Sequence, residues 1–149
     1  MFAALVSLSL VAATVEEPKL SDDAKKELKK LEGKWKAVKA VTNGNEETPE
    51  MDGAEVIIEF KGHKLLLNTK EVLEVAALDP STDPKILDVK ALADMGGLRK
   101  DTVLEAIYKL DGDTLMLAVH IGEGKKRPDK FESPKDSGIV VVTLKREKK

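Results

Sequence analysis

The sequence has 149 residues and a mass of 16.3 kDa, which suits one domain and is too short for two of ordinary size. Hydrophobic residues make up 42% and charged residues 35%, with 25 basic against 27 acidic side chains, so the composition excludes a disordered polyelectrolyte and a helical membrane bundle. Because there is no cysteine, disulfides, thiolate metal sites, cysteine nucleophiles and lipid-bearing cysteines are excluded. The net charge of -2 gives no overall attraction to nucleic acid.

The first thirteen residues contain no ionised side chain and are nearly all apolar or small. Such a segment is too short to span a bilayer as a helix but fits the apolar region of a secretory signal, with Val11 and Ala13 before the cut. It lacks a basic start, so a buried strand or helix of the domain is the alternative. We predict a signal peptide at 1–13, a linker at 14–20 and one domain at 21–149. The mature protein is then expected outside the cytoplasm, periplasmic or secreted, with no stable membrane anchor.

A short helix is predicted directly after Ser21, whose hydroxyl can cap its first turn. Asp22 and Asp23 place negative charge at the positive end of this helix, and Gly33 ends it. One narrow apolar stripe runs along the helix, formed by Ala24, Leu28 and Leu31. A single stripe on a charged helix indicates that the helix lies across a larger body.

After Gly33 the hydrophobic period falls to two, and turn-forming residues recur along the chain. Apolar Leu104 and Tyr108, for example, alternate with charged Glu105 and Lys109. One face of the sheet is therefore expected to be apolar and the other wet, as in an antiparallel sheet around a core. Eight strands are predicted, at residues 34–42, 54–61, 64–68, 71–78, 85–91, 102–110, 114–120 and 138–146.

The connections between these strands are short and contain no helix, which favours an up-and-down meander over parallel crossovers. Eight such strands can close into a small barrel, and closure removes exposed sheet edges. We predict an all-β fold, an eight-stranded antiparallel up-and-down barrel with a short N-terminal helix. A two-sheet sandwich is the alternative, because alternation alone does not distinguish the two.

The single tryptophan, Trp35, begins the first strand, where one end of the barrel needs a plug. Arg146 ends the last strand with the same parity as Val142 and Leu144, so its side chain is expected on the core side. The first and last strands are neighbours in a closed barrel. The Arg146 guanidinium is then expected to lie over the indole, a contact worth about 0.5–2 kcal/mol.

These features resemble a lipocalin, a family with a G-x-W sequence at its first strand and a basic residue packed on that tryptophan. Four blocks in order, at 31–35, 107–115, 127–131 and 144–146, are similar to the lipocalin-like small domain family of unknown function that is common in planctomycete bacteria. The resemblance covers nearly everything after Ser21 and implies the barrel fold, with structural roles for Gly33, Trp35 and Arg146. Because proteins of that family often begin with export signals, it also implies export, but it implies no biochemical activity.

Two functions remain open for a barrel of this kind. The first is non-catalytic binding of a small apolar or amphipathic ligand, with Phe60, Leu104 and Tyr108 lining the interior and Arg127 near its entrance. Only four aromatic residues follow the predicted signal, so a core filled by its own side chains is an equal alternative. In that case the protein is an interaction or inhibitor module that contacts a protein partner through loops at 93–102 and 121–137.

Few residues in this sequence are grouped as a catalytic or metal site requires, so we expect no enzyme and no cofactor. Asp111-Gly112-Asp113 has carboxylates at calcium-loop spacing, but the apolar residues that follow at once favour a hairpin turn. The two histidines, His63 and His120, are too few for a closed zinc site, and no metal is expected. The basic clusters at 125–127 and 145–149 are expected to be solvated, because few aromatic residues are present to stack nucleic acid bases.

Glu74 is the acid whose position is most ambiguous. If it alternates with Val72 and Ala76 on the inner face, it is a buried carboxylate with a raised pKa and a candidate for a site. In the opposite register Leu73, Val75 and Ala77 face inward and Glu74 lies in water, and the period-two pattern favours this register.

Overall fold

The computed structural model describes residues 20–51, 53–94, 98–121 and 126–147. The signal peptide predicted at 1–13, and all but the last residue of the linker predicted at 14–20, lie outside these residues. Within them the chain forms one helix and eleven strands: α1 (Asp22–Leu31), β1 (Gly33–Thr42), β2 (Asn45–Glu47), β3 (Glu50–Met51), β4 (Ala54–Glu55), β5 (Ile57–Lys61), β6 (Lys64–Leu67), β7 (Lys70–Asp79), β8 (Lys85–Ala91), β9 (Val103–Asp111), β10 (Thr114–His120) and β11 (Ile139–Arg146).

Eight of the strands form a closed antiparallel barrel. Going round it, β1 pairs with β5, each strand from β5 to β11 pairs with the next, and β11 pairs again with β1. This closure confirms the predicted barrel and shows that the two-sheet sandwich is wrong. The eight predicted strands correspond to the eight barrel strands, except that the segment predicted at 54–61 is interrupted at Val56, so that β4 separates from β5.

Helix α1 begins and ends with side-chain hydrogen bonds. The Ser21 hydroxyl accepts from the Ala24 amide at 3.1 Å, which confirms the predicted cap. At the other end the Trp35 Nε1 donates to the Leu31 carbonyl at 2.8 Å, and Arg146 donates to the carbonyls of Lys30 and Glu32 at 2.7 and 2.9 Å. Two barrel side chains therefore satisfy three carbonyls at the C-terminus of the helix, where the last carbonyls have no partner within the helix.

The predicted contact between the first and last strands is present. Trp35 and Arg146 are directly paired across β1 and β11, and the Arg146 guanidinium carbon lies 4.2 Å from the centre of the indole ring. Trp35 has no exposed surface. The φ angle of Gly33 is +114°, and a Cβ at this position would meet the Arg146 guanidinium at 3.5 Å, so glycine suits the junction between helix and barrel.

The helix covers one end of the barrel, which we call the helix end; the opposite end is the far end. The apolar stripe of α1 packs into the same core as the inward side chains of the strands, as predicted. The helix end also carries the hairpin turns at residues 62–63 and 112–113, whereas the turns at 43–44 and 68–69 lie at the far end. Among the described residues, the helix thus covers one end of the barrel, and the other end carries turns, loops and the β3–β4 hairpin.

The outer face of the barrel is not wet throughout, contrary to the prediction. Ile107, Ala118 and Val141 face outward on β9, β10 and β11 and are at most 5% exposed. Phe131 packs against this second cluster. It belongs to residues 126–138, which we call the outer strap. The strap covers an apolar strip of the outer wall that alternation with charged residues does not reveal.

Candidate ligand-binding interior

Bulky side chains fill the half of the barrel nearest the helix. Trp35, Phe60 and Tyr108 face inward from three different strands and are at most 1% exposed. Leucines complete this layer at the inward positions nearest the helix end, and each is at most 6% exposed: Leu65, Leu78, Leu87, Leu115 and Leu144. The interior of this half is therefore a packed core.

Smaller side chains line the far half. Ala40, Ala91 and Ala106 occupy inward positions there, where the helix-end half has aromatic residues and leucine. The other far-half side chains that pack on the main core are aliphatic and only half-buried: Val56, Ile58, Leu73, Leu104, Leu117 and Val142. Alanine and half-buried aliphatic side chains are thus more frequent towards the far end, although Val75, Val89 and Ala91 are buried there as well.

A buried acid of the helix contacts the packed half. Glu27 is 3% exposed and accepts hydrogen bonds from the Tyr108 hydroxyl at 2.7 Å and from Lys85 Nζ at 3.0 Å, with Lys30 Nζ at 3.4 Å. Burial alone would raise the pKa of Glu27, but the Tyr108 hydrogen bond and the two lysines outweigh burial and hold it below its ordinary value. Burial and the same contact raise the pKa of Tyr108. Both groups are therefore satisfied structural partners in their usual protonation states.

No role is predicted for Glu27 from the sequence, although its position in the helix indicates one. Glu27 lies three residues after Ala24 and one before Leu28, on the same side of the helix as the apolar stripe. An acid on that side must find partners within the core, and they come from strands β8 and β9.

Arg127 lies on the outside of the barrel and not at an opening into its interior. Its guanidinium forms a two-pronged ion pair with Asp88, donates to the Ala106 carbonyl at 3.1 Å and lies 3.8 Å from a Glu105 carboxylate oxygen. Asp88 and Glu105 are directly paired across β8 and β9, and both alternate with inward-facing residues. The Asp88 hydrogen bonds raise the pKa of Arg127. Arg127 therefore anchors one end of the outer strap to the wall.

The four residues predicted to bind a ligand thus divide into three locations. Phe60 and Tyr108 belong to the packed half, Leu104 lines the far half, and Arg127 is outside. The sequence correctly indicates which side chains share the inner face, because period-two alternation determines the face. It does not reveal the level of each residue along the barrel axis, or the path of the strap.

Glu74 lies on the outer face, in the register that the sequence favours, but it is not in water. Leu73 and Val75 point inward, but a bulge between Val75 and Ala77 places Ala77 opposite the outward Asp88, so its predicted inward position is wrong. Glu74 is 6% exposed and has Lys64 Nζ at 3.1 Å, Lys90 Nζ at 3.4 Å and His63 Nε2 at 4.0 Å. Burial acts to raise its pKa, but the hydrogen bonds and charges of the lysines prevail and lower it. Glu74 is therefore an ionised centre of a surface charge cluster.

The other residues considered for a metal site lie in or beside turns, and His120 is the last residue of β10. Gly112 has a φ of +60° between paired Asp111 and Thr114, which confirms the hairpin, and Asp113 lies 3.4 Å from Arg146 Nε. The ring nitrogens of His120 face the carbonyls of Lys126 and Ser137 at the far end, whereas His63 lies at the helix end. In the described part of the chain, no group of three or more acidic or histidine side chains is placed to hold a metal ion.

Four clefts on the outside of the barrel have volumes from about 340 to about 590 Å³. The smallest lies between the helix and the turn at Gly62 and His63, and the largest lies between Pro84 and Phe131 of the strap. Each has charged residues on its walls. They are shallow surface features and do not include the half-buried aliphatic residues of the far half.

No protein-family model, curated protein or solved structure matches this chain. Among the residues that the structure describes, no helix is long and apolar enough to cross a membrane.

Proposed function

We propose that this protein is a non-catalytic binding protein that takes a small apolar or amphipathic molecule into the far half of its barrel. The observation that carries the proposal is the change along the barrel axis from buried aromatic side chains to alanines and half-buried aliphatic side chains. A concave apolar surface that solvent can reach is the usual setting for such a ligand. The likeness of the sequence to lipocalin-like domains agrees with it.

The arrangement of polar groups supports binding rather than catalysis. The apolar core cluster of the described residues extends into the far half through aliphatic side chains. The acid and the phenol of the helix-end half bond to each other and to lysine, and no buried side-chain polar atom in the described residues lacks a hydrogen-bond partner. General acid–base chemistry needs a titratable group directed at the substrate, whereas the buried Glu27 and Tyr108 are bonded to each other and to Lys85.

A pair of variants tests the binding proposal. Leu104→Trp adds bulk to the far half, whereas Lys109→Trp adds the same side chain to an exposed, outward position on the same strand. Titration with Nile red, a neutral apolar dye, should show saturable binding to the wild type and to Lys109→Trp, and binding at least tenfold weaker to Leu104→Trp. Native mass spectrometry of protein purified without denaturant would add a retained mass. If no dye is taken up and only bare protein is detected, the proposal is wrong.

Export is the second part of the proposal and rests on the apolar segment at 1–13. The intact mass of protein from the periplasmic fraction of an expressing bacterium should lack about thirteen residues. A variant that lacks 1–13 should remain in the cytoplasm. A full-length mass in the cytoplasmic fraction of the wild-type culture would remove the extracytoplasmic assignment and leave ligand binding untouched.

An interaction module is the second candidate function, and one observation favours it. Val103 and Ile121, which border the far-end loops, are 46% and 56% exposed, which is unusual for large apolar side chains. If both Trp variants and the wild type fail to bind the dye, the double variant Val103→Ser/Ile121→Ser becomes the relevant test. If this double variant keeps its fold but no longer binds a protein partner that the wild type binds, the result would support the interaction module.

A further inference from the structure

We propose that the cleft between helix α1 and the β5–β6 turn is a second binding site, which takes a small amphipathic anion: a flat apolar ring system with one carboxylate or sulfonate group. This cleft lies on the outside of the barrel and shares no described lining residue with the far half, so the site goes beyond the proposed function. Three features support it: an apolar floor, two lysines along one wall, and the pairing of the neighbouring acids with other lysines.

The floor of the cleft is apolar. Leu28 of the helix and Leu20, just before the helix, both line it. Leu28 is 9% exposed and Leu20 is half-buried, and both pack on the main core, so the barrel holds the floor in place. The volume of about 340 Å³ is at the lower end of the range of roughly 300–1,000 Å³ for small-molecule sites. Because the cleft is shallow, it can cover one face of a small, flat ligand.

The two walls of the cleft come from different elements. One wall is a flank of the helix, where Lys25, Lys29 and Glu32 are separated by four and three residues and therefore lie on the same side. The opposite wall is the hairpin turn at Gly62 and His63. Gly62 has a φ of +62°, which favours glycine, and a Cβ there would meet no atom within 4 Å. The turn therefore leaves open space in front of the helix.

The charges around the cleft favour an anion. Its described lining contains two lysines and one acid, whereas each of the other three clefts has at least as many acids as basic residues. Two buried acids lie close by, Glu27 on the helix and Glu74 beside His63, and each is paired with two other lysines. Neutralising these acids therefore does not depend on Lys25 or Lys29.

The floor and the lysines together determine the class of ligand. An apolar ring that lies on Leu20 and Leu28 has the two lysines at its edge, where an anionic group can accept charge-assisted hydrogen bonds from the ammonium groups. The alkyl stems of the lysines extend the apolar surface around such a ring. A neutral apolar molecule would use only the floor, and a small inorganic anion only the lysines.

The fluorescent probe 1-anilinonaphthalene-8-sulfonate, which combines flat rings with one sulfonate, tests the site. Its titration into the wild-type protein should show saturable binding that weakens as salt is added. Lys25→Gln/Lys29→Gln should bind the probe roughly fivefold more weakly. The control Lys26→Gln/Lys130→Gln, which removes the same charge at exposed positions outside the cleft, should bind it like the wild type. Equal affinity in the two double variants would overturn the site, as would the absence of saturable binding.

Two further variants separate the floor of the cleft from the interior of the barrel. Leu20→Ser keeps both lysines but removes part of the floor, and it should weaken probe binding roughly fivefold. Unchanged affinity in this variant would contradict the amphipathic ligand class. Leu104→Trp should leave probe binding unaltered, because the far half takes no part in the site. If Leu104→Trp abolishes binding of both the probe and Nile red, the probe enters the barrel, and the second site is wrong while the proposed function stands.

Amide chemical shifts measured by two-dimensional NMR locate the probe on the wild-type protein. The largest changes should occur at residues 25–32 and 62–63. Changes concentrated at 126–138 would place the probe on the outer strap and overturn the site, and they would leave the Nile red test of the proposed function unaffected.

Discussion

Trp35 connects the two parts of the molecule at the level of a single side chain. Its ring is part of the barrel core, its Nε1 bonds to the last turn of the helix, and one face of the indole receives the Arg146 guanidinium at 4.2 Å. Packing, hydrogen bonding and cation–π attraction thus act on one residue. Helix, first strand and last strand all depend on it.

Replacing Trp35 with alanine should therefore destabilise the protein by about 3–5 kcal/mol, because it leaves a large cavity in a fully buried position. Urea denaturation followed by circular dichroism measures the loss. Thr114→Val is a suitable control, since it removes only the exposed bond between Lys145 and Thr114 and should change stability by less than about 0.5 kcal/mol. A loss below about 1 kcal/mol for Trp35→Ala would mean that the indole does not plug the core.

Tyr108→Phe removes one hydroxyl and leaves the ring in place. The hydroxyl bonds to an ionised, buried carboxylate at 2.7 Å, so its removal should cost about 1.5–3 kcal/mol. The same denaturation experiment, with the same control, measures the loss. Unchanged stability would indicate that Glu27 finds a replacement partner, and a crystal structure of the variant would identify it.

The contacts of some side chains can be predicted from the sequence, and those of others cannot. The contact of Trp35 with Arg146 follows from strand parity and from the closure of the barrel, so the sequence predicts it correctly. The partners of Glu27 and Arg127 do not follow, because Lys85 is 58 positions from Glu27 and Asp88 is 39 positions from Arg127. Alternation shows the face of a strand on which a side chain lies. It does not show which distant element covers that face.

At the level of elements, the strap is the part that the strand pattern misses. The eight barrel strands are predicted with small differences at their ends, apart from the break at Val56, because apolar and polar residues alternate along them. The three residues of β2 are all exposed, so this strand has no buried face to produce a pattern. Ile107, Ala118 and Val141 lie on the opposite face from the core, and only the folded strap explains why they are apolar.

Phe131→Ala should loosen the strap more than the barrel. Phe131 is half-buried on the outer cluster, so its removal should cost about 2 kcal/mol, less than a fully buried aromatic residue. Limited proteolysis should show faster cleavage within 126–138, while cleavage elsewhere is little changed. Glu132→Ala, at an exposed neighbouring position, should leave the cleavage rate unaltered. Equal rates in both variants would mean that the aromatic contact does not hold the strap.

The whole molecule should lose stability in acid. The pKa values of Glu27 and Glu74 are both lower in the folded protein than their ordinary value of 4.5, so the folded state binds fewer protons than the unfolded state as the pH falls. Their contribution is therefore fully present above about pH 5 and is lost as the pH falls through 4.5 and below. Tm measured between pH 7 and pH 3 should decline most steeply below pH 5.

The double variant Glu27→Gln/Glu74→Gln should have a lower Tm at pH 7 and a flatter acid profile than the wild type. Glu47→Gln, at an exposed position on β2, should reproduce the wild-type profile. A double variant with the full wild-type slope would assign the acid sensitivity to other carboxylates.

Closure of the barrel by its first and last strands has a consequence for how the protein is made. The hydrogen bond from Arg146 to the Glu32 carbonyl joins positions 114 residues apart, and β11 is the last of the eight barrel strands to be synthesised. Until then the nascent chain has two unpaired sheet edges, where other chains can add. Contacts between such distant positions also make folding slow, on the scale of milliseconds to seconds. The native ring therefore cannot close until β11 is available to pair with β1.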